Sequence, residues 1–470
     1  MAWDIGTELR EEFPAVLRLA LPVVLGQLFI MGVNVADTML AGQHSPHALG
    51  VVAVAGALWS LVLMIVLGFL YAVPPLVAAH DGAGRRERIA SVVSQALWLG
   101  LAISAILFVA VRFVEHLLIA LRVDAGLIDD AARFLRTVSY ATPALSLFLV
   151  LRYLSEGIGY TRATLYFSAL GVALFVPIGW LLVFGHWGLP ALGAQGCAIA
   201  LTASLWLQAL AFVAFVARHP VYHDLQLGPR FEGPRWSEMK HLLELALPIA
   251  MMVVMEGSMF VLAALLVASI GTTAVASHQI AVSVGSVAFM VPLGIGAATT
   301  VRVGRALGAG DGARLRAAAK AGLLLALAAQ FLLASSMALW RGPLAALYSG
   351  DAAVAALATQ LLLLCAVFQF SDGLQAVAAA ALRGLQDVRV PALLTLIAYW
   401  LIGLGSGHWL AFERGLGAPG MWWGLAAGLT AAALFLMLRL RSTLARHAAA
   451  RTDASGRSGL LAADKPAANR

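Results

Sequence analysis

Residues 19–42 read LALPVVLGQLFIMGVNVADTMLAG. The stretch is apolar over more than the roughly 20 residues that a helix needs to cross a hydrocarbon core, yet it encloses Asp37. Its head, Leu19-Ala20-Leu21-Pro22, returns as Leu245-Ala246-Leu247-Pro248, an offset of 226 (248 less 22). Gly82-Ala83-Gly84 returns as Gly308-Ala309-Gly310 at the same offset (308 less 82). Leu192-Gly193-Ala194-x-Gly196 returns as Leu416-Gly417-Ala418-x-Gly420 at 224 (416 less 192). Small-residue tetrads recur by chance, but three in one order at nearly one offset mark an internal repeat.

Working outward, similar apolar stretches fill the chain. Of its 470 residues 61% are hydrophobic and 12% charged, with mean hydropathy +0.89. A soluble domain needs a more charged surface than that. The runs are continuous and rich in Leu and Ala, without the short alternating strands of a barrel, and helices alone satisfy their backbone within each run. Twelve spans are expected, at roughly 15–41, 48–79, 89–114, 128–157, 163–185, 192–217, 239–269, 275–300, 315–340, 353–382, 390–411 and 417–440. The fold class is thus an all-α polytopic membrane protein, its twelve transmembrane helices forming two pseudo-symmetric six-helix bundles. An even number of spans per half gives both halves one orientation, with a cleft between them, which is a transporter plan. The expected division is residues 1–217 for the N-terminal lobe, 218–238 for a cytoplasmic linker, 239–441 for the C-terminal lobe and 442–470 for a disordered cytoplasmic tail.

The net charge of +7 comes from loops rather than from a nucleic-acid patch. Loops after even-numbered spans hold Arg85, Arg86, Arg88, Arg162, Arg218, Arg230, Arg235, Lys240, Arg302, Arg305, Arg314, Arg316, Lys320, Arg383 and Arg389. Those after odd-numbered spans hold Arg112, Arg122, Arg133, Arg341 and Arg414. Excess Lys and Arg marks the cytoplasmic side, so both termini are expected inside. Asp4, Glu8, Glu11 and Glu12 precede the first run, which suits a retained helix better than a signal peptide. Cys197 and Cys365 lie inside apolar runs and read as packing residues.

Three carboxylates stand apart: Asp37 in the first span, Glu256 in the seventh and Asp372 in the tenth. Each is too deep for its short side chain to reach the interface, and an acid at a helix centre costs about 2.5–3.5 kcal/mol or more, so function is its default reading. Gln27, Asn34 and Asp37 share one helical face. Met252, Glu256, Met259 and Phe260 share another, as do Phe368, Gln369, Asp372 and Gln375. Met and aromatic faces around an acid suit flat, lipophilic cations, although such stripes are also ordinary packing. A proton or Na⁺ and an organic cation can compete for one buried negative charge. His278 is a candidate relay, with a structural hydrogen-bonded role as the plainer reading. Arg152 and Glu156 are spaced to pair, and Arg136 lies on the same span. Pro22, Pro74, Pro75, Pro143, Pro177, Pro248 and Pro292 can bend their helices. The chain has no G-x-x-x-x-G-K-[ST] loop and no H-E-x-x-H, which argues against ATP-driven transport or a zinc protease.

Several stretches resemble the MATE (multidrug and toxic compound extrusion) family, NorM-like branch. They are residues 19–42 quoted above, GAGRR at 82–86, GAQGC at 193–197, SHQI at 277–280, VPLGIGAATTVRVGRALGAGD at 291–311, AAALRGLQD at 379–387 and GLGAPGMWWGLAAGLTAAA at 415–433. The resemblance implies a secondary antiporter of the bacterial inner membrane that exports organic cations in exchange for Na⁺ or H⁺, by alternating access, without cofactor or catalysis. It implies that Asp37 is a cation or proton site and that Glu256 and Asp372 form a second one, able to hold Na⁺. Asparagines common beside the fifth-helix proline are Phe175 and Gly179 here, and a tyrosine common before the tenth-helix acid is Phe368. A monomer among membrane lipids is expected, with no nucleic-acid partner. The alternative is a flippase for a lipid-linked oligosaccharide, from the same wider superfamily. That reading calls for a basic cavity, whereas the cleft inferred here is acidic.

Overall fold

The computed structural model describes the backbone of residues 6–463 and the side chains of residues 6–447. Among the described residues twelve spans follow one another as expected, the fourth being a bent pair of helices. They are α1 (Thr7–His44), α2 (Pro46–Gly82), α3 (Glu87–Arg112), α4 (the pair Ala125–Ser139 and Thr142–Gly157), α5 (Arg162–Phe184) and α6 (Ala194–Arg218). The second six are α7 (Trp236–Ala268), α8 (Thr272–Gly308), α9 (Gly312–Tyr348), α10 (Ala352–Gly384), α11 (Arg389–Glu413) and α12 (Gly417–Ala463). Among the described residues no strand occurs, as lipid requires of chains that do not close into a barrel.

Local chemistry sets the ends and breaks. Ser45 accepts from the Ala48 N–H at the start of α2, Asp311 from Ala313 and Arg314 at α9, and Asp351 from Ala353 and Val354 at α10, each satisfying otherwise orphaned donors. Gly185, at φ 72°, closes α5 in the left-handed region. α2 is interrupted at Tyr71-Ala72, directly before Val73-Pro74-Pro75. α4 bends by 47° before Thr142-Pro143. Proline lacks the amide proton and crowds the preceding turn, so both breaks fall where the sequence puts one. Two π-helical turns in α11, Ile397–Leu404 and Trp409–Glu413, have no such signature.

α12 runs on past Ser442, where the tail was expected to begin, to Ala463. Its Ala- and Arg-rich composition favours helix. Thr443 anchors its near part, donating to Asp387 Oδ2 at 2.8 Å. Asp4 and residues 464–470 lie outside the described residues.

The segment between the halves is docked on α3. Ser91 donates to Glu232, and Gln95 and Trp98 donate to the carbonyls of Gly233 and Glu232. Gln95 also accepts from the Arg235 N–H at 2.9 Å. Nearby, Tyr222 shares a 2.7 Å hydrogen bond with Ser155, and burial pushes its phenol up to about 12, so it stays protonated.

The bundles meet along α1 against α8 and α9, and along α2 against α7 and α8. Val16 and Ala20 of α1 pack with Ile295, Ala298, Ala321 and Leu325. At the end bearing the basic loops (the basic end below), Gly82 abuts the Arg305 backbone while Gly308 abuts the Ala79 backbone. The two contacts are related by the same 226-residue offset (305 less 79), so the repeat in sequence is a pseudo-twofold crossing in space. A Cβ at either glycine would overlap the opposing backbone, which explains why glycine recurs there.

Candidate functional site

In the second bundle, Glu256 on α7 faces Asp372 and Gln375 on α10. The Gln375 amide nitrogen donates to Glu256 Oε1 at 3.0 Å and to Asp372 Oδ1 at 3.2 Å. Tyr399, carried on the π-helical turn of α11, donates its hydroxyl to Gln375 Oε1 at 2.8 Å. Gln375 is thereby oriented, with its oxygen engaged and its nitrogen aimed between two acids. Asp372, Gln375 and Tyr399 are buried, and Glu256 is half-buried. The ion pairs of the described residues all lie elsewhere. Two carboxylates around one neutral amide leave negative charge that a proton or a bound cation must balance.

Asp37 occupies the first bundle, between α1 and α6. Its Oδ1 is enclosed with no hydrogen-bond partner, and the Cys197 thiol points to its backbone carbonyl at 3.9 Å. Asn34 and Thr38 of the same face are exposed, and Gln27 is half-buried. Pro177 itself is exposed. Phe175 is fully buried, and Leu40 packs against Gly179. The three acids therefore form two sites, one per bundle, rather than one cluster. Among the described residues no group of three or more His, Cys, Asp or Glu gathers around a metal position.

The other sequence candidates separate by environment. Met252 sits in a core cluster of the second bundle, and Met259 is fully buried against Gly403. Phe368 is buried with its ring 5.4 Å from Trp422. Gln369 ties helices together, donating to the Gly285 carbonyl at 3.3 Å and accepting from Gln330 at 3.2 Å. Phe260 is half-buried beside this core. His278 accepts from Trp422 Nε1 at 3.1 Å on Nδ1, which leaves the proton on its enclosed, unpartnered Nε2. A helix that is apolar all round carries no stripe to tell a lining face from a packing face.

Sequence reasoning missed Tyr399. A lone phenol in the apolar stretch IAYWLIGL was its signal, and no spacing rule pairs α11 with α10. It also missed a junction of charges across the bundles at the basic end. Arg302 grips Glu12 through two hydrogen bonds, one of 2.7 Å. Arg305 pairs with Asp81 at 2.7 Å and donates to the Ile158 carbonyl, while Arg86 holds the other Asp81 oxygen at 2.9 Å. A third charged group lies between the bundles. The Arg152–Glu156 pair anticipated from spacing is formed at 2.8 Å and buried. Thr164 donates to the same Glu156 oxygen at 3.1 Å. Arg136 instead pairs with Glu115 at 2.7 Å. A cavity of about 370 Å³ at the basic end is walled by His241, Glu244, Asp387, Arg389 and Arg439. None of the three deep acids lines it.

Comparison with known proteins agrees with this plan. The family model MatE matches residues 22–181 and again 248–408, so it finds the internal repeat independently. A probable multidrug resistance protein NorM of Xanthomonas campestris pv. campestris is 40% identical over 428 residues, covering 91% of this chain and 93% of the relative. Multidrug resistance protein PmpM of Pseudomonas aeruginosa is 38% identical over 446 residues, covering 94% of each. Among solved structures, the eukaryotic MATE transporter AtDTX14 superposes with TM-score 0.82 at 20% identity, over 94% of this chain and 99% of that one. An outward-facing MATE transporter of the MOP superfamily gives TM-score 0.84 at 17% identity, over 95% and 99%. Matched twice by the family model, and along nearly its whole length by bacterial relatives, this multi-pass membrane protein belongs to the MATE family of multidrug efflux transporters.

Proposed function

We propose that the chain is a cation-coupled antiporter that expels organic cations from the cytoplasm in exchange for Na⁺ or H⁺, by alternating access between its two bundles. The carrying observation is the Glu256–Gln375–Asp372 arrangement, two acids on one amide, with no ion pair to either acid among the described residues and Arg383 as the basic group within electrostatic range of Glu256. Asp37, with its unbonded enclosed oxygen, supplies a second charge-balancing position in the first bundle. Entry of the coupling ion on one of these acids weakens its hold on an organic cation, and departure of the ion restores it. No bond is made or broken, and no cofactor takes part.

The basic end faces the cytoplasm on this reading, with both termini there, because that side holds the excess of Lys and Arg. The ion pairs Glu12–Arg302 and Asp81–Arg305 then form the cytoplasmic closure, which must part for loading. The bacterial relatives support an inner-membrane location. The working unit is a monomer in lipid, without nucleic acid. A flippase for a lipid-linked diphosphate is disfavoured, since such a substrate needs unpaired cations where this chain places acids.

The test is ethidium transport in proteoliposomes, with an imposed Na⁺ gradient and then an imposed pH gradient. Export driven by either gradient and abolished in Glu256→Gln supports the reading. Transport indifferent to both gradients refutes it.

A further inference from the structure

Tyr71 sits at the break of α2 in the first bundle, with its ring edge-on to Tyr153 at 5.2 Å. The opposite bundle covers it. The Arg383 guanidinium, from α10, lies 4.6 Å from the Tyr71 ring centroid. Arg383 is 8% exposed. Its Nε is enclosed without an acceptor, and among the described residues it forms no ion pair. A buried guanidinium is normally held by a carboxylate. Here no carboxylate is in ion-pair contact: an aromatic face from another bundle lies over the guanidinium, and the Glu256 carboxylate of its own bundle acts on it only from a longer range. Beside Tyr71, a void of about 10 Å³ is lined by Tyr71, Pro74, Glu156, Ala297 and Thr300, about enough for one water. Only one Glu156 oxygen, Oε1, is engaged, by Arg152 and Thr164. An ionised carboxylate has acceptor sites to spare.

We propose that Tyr71 and Glu156 form a seat for the organic cation in the first bundle, filled when the basic end opens, and that Arg383 takes this seat on closing. The two halves of the arrangement belong to different bundles. Parting them at the basic end draws Arg383 off the ring and exposes an aromatic face next to an acid. Closing returns a tethered cation to the same face, so the substrate is displaced by direct competition. The seat is built from residues other than Glu256, Asp372 and Asp37, although Tyr71 and Arg383 both lie within electrostatic range of Glu256, and it rests on the antiport reading only for its role in export. Arg383 acts here as a positioning residue, by occupying what the substrate occupies.

The test is equilibrium binding of ethidium to the purified full chain, followed by fluorescence, which needs no ion gradient and so stands apart from the coupling experiment. Freeing a desolvated aromatic seat from its internal cation should tighten ethidium binding about threefold to thirtyfold in Arg383→Gln and Arg383→Met. Arg383→Lys retains a cation and should stay near wild type, which also shows that the site tolerates substitution. Tyr71→Leu should weaken binding, and Arg383→Gln combined with Tyr71→Leu should bind as weakly as Tyr71→Leu alone. The neutral dye Nile red should not distinguish Arg383→Gln from wild type. In transport, Arg383→Gln should lower KM and kcat together, because loading improves while expulsion slows. Unchanged ethidium affinity in both neutral variants overturns the proposal. So does tightening that survives the loss of Tyr71, or that is equal for Nile red.

Discussion

Replacing Gly82 with alanine should open the basic end. The added Cβ would lie 2.7 Å from the Arg305 Cα and 2.8 Å from its carbonyl carbon, and closer still to its carbonyl oxygen. Carbon pairs favour about 3.5–4.0 Å, and the obstacle is backbone, so no side chain can swing aside. Overpacking of this kind costs about 1–3 kcal/mol. The penalty falls on the closed arrangement alone, since the contact exists only across the bundles. At about 1.4 kcal/mol per factor of ten, the closed state should lose about fivefold to a hundredfold in population. Spin labels on Arg88→Cys and Arg316→Cys, both exposed positions on opposite bundles, report the separation by pulsed electron resonance. The native cysteines are buried and leave labelling to the introduced sites. Gly82→Ala should shift the distance distribution outward, and Gly308→Ala should do the same through the symmetry-related contact with Ala79. Gly56→Ala, where a Cβ meets nothing within 4 Å, should leave it in place. An unshifted distribution in both junction variants refutes the view that this crossing closes the basic end.

Glu12→Gln removes the charge that Arg302 grips across the bundles, so the same labelled pair should move apart in that variant, more at low salt than at high salt. Gln375→Leu strips the amide donor shared by Glu256 and Asp372 and removes the acceptor of the Tyr399 hydroxyl. With about 1–3 kcal/mol at stake per charged hydrogen bond, gradient-driven ethidium export should slow about tenfold or more at normal membrane insertion, and a rate within about twofold of wild type contradicts the assigned geometry. Glu156→Ala abandons a buried Arg152 and should cost about 3–5 kcal/mol of stability. The paired replacement Arg152→Met with Glu156→Leu should recover much of that loss in thermal unfolding.

The sequence carried the architecture well because lipid leaves few choices. Apolar length fixed the spans, and Pro143 and Pro74-Pro75 marked the places where α4 bends and α2 breaks. The repeated Leu-Ala-Leu-Pro and Gly-Ala-Gly tetrads anticipated a pseudo-twofold arrangement that the Gly82 and Gly308 contacts make physical. The acids were legible because burial of charge is costly wherever it occurs. Their partners were not. Gln375 was visible as a helical neighbour of Asp372, but its link to Glu256 spans 119 residues, and the Glu12–Arg302 contact spans 290. Met259, Phe368 and Gln369 shared faces with acids by spacing, yet they pack inward, since hydrophobicity on every side leaves orientation to tertiary contact.

Antiport on this plan requires the deep acids to exchange one cation for another. Addition of ethidium to purified protein in weakly buffered, Na⁺-loaded solution measures that exchange directly, with a pH indicator and a Na⁺ tracer read together. Wild type should release protons or Na⁺ in proportion to ethidium bound, and the triple variant Asp37→Asn, Glu256→Gln, Asp372→Asn should release neither. Equal release from the triple variant, or ethidium binding by wild type with no ion displaced, would contradict it.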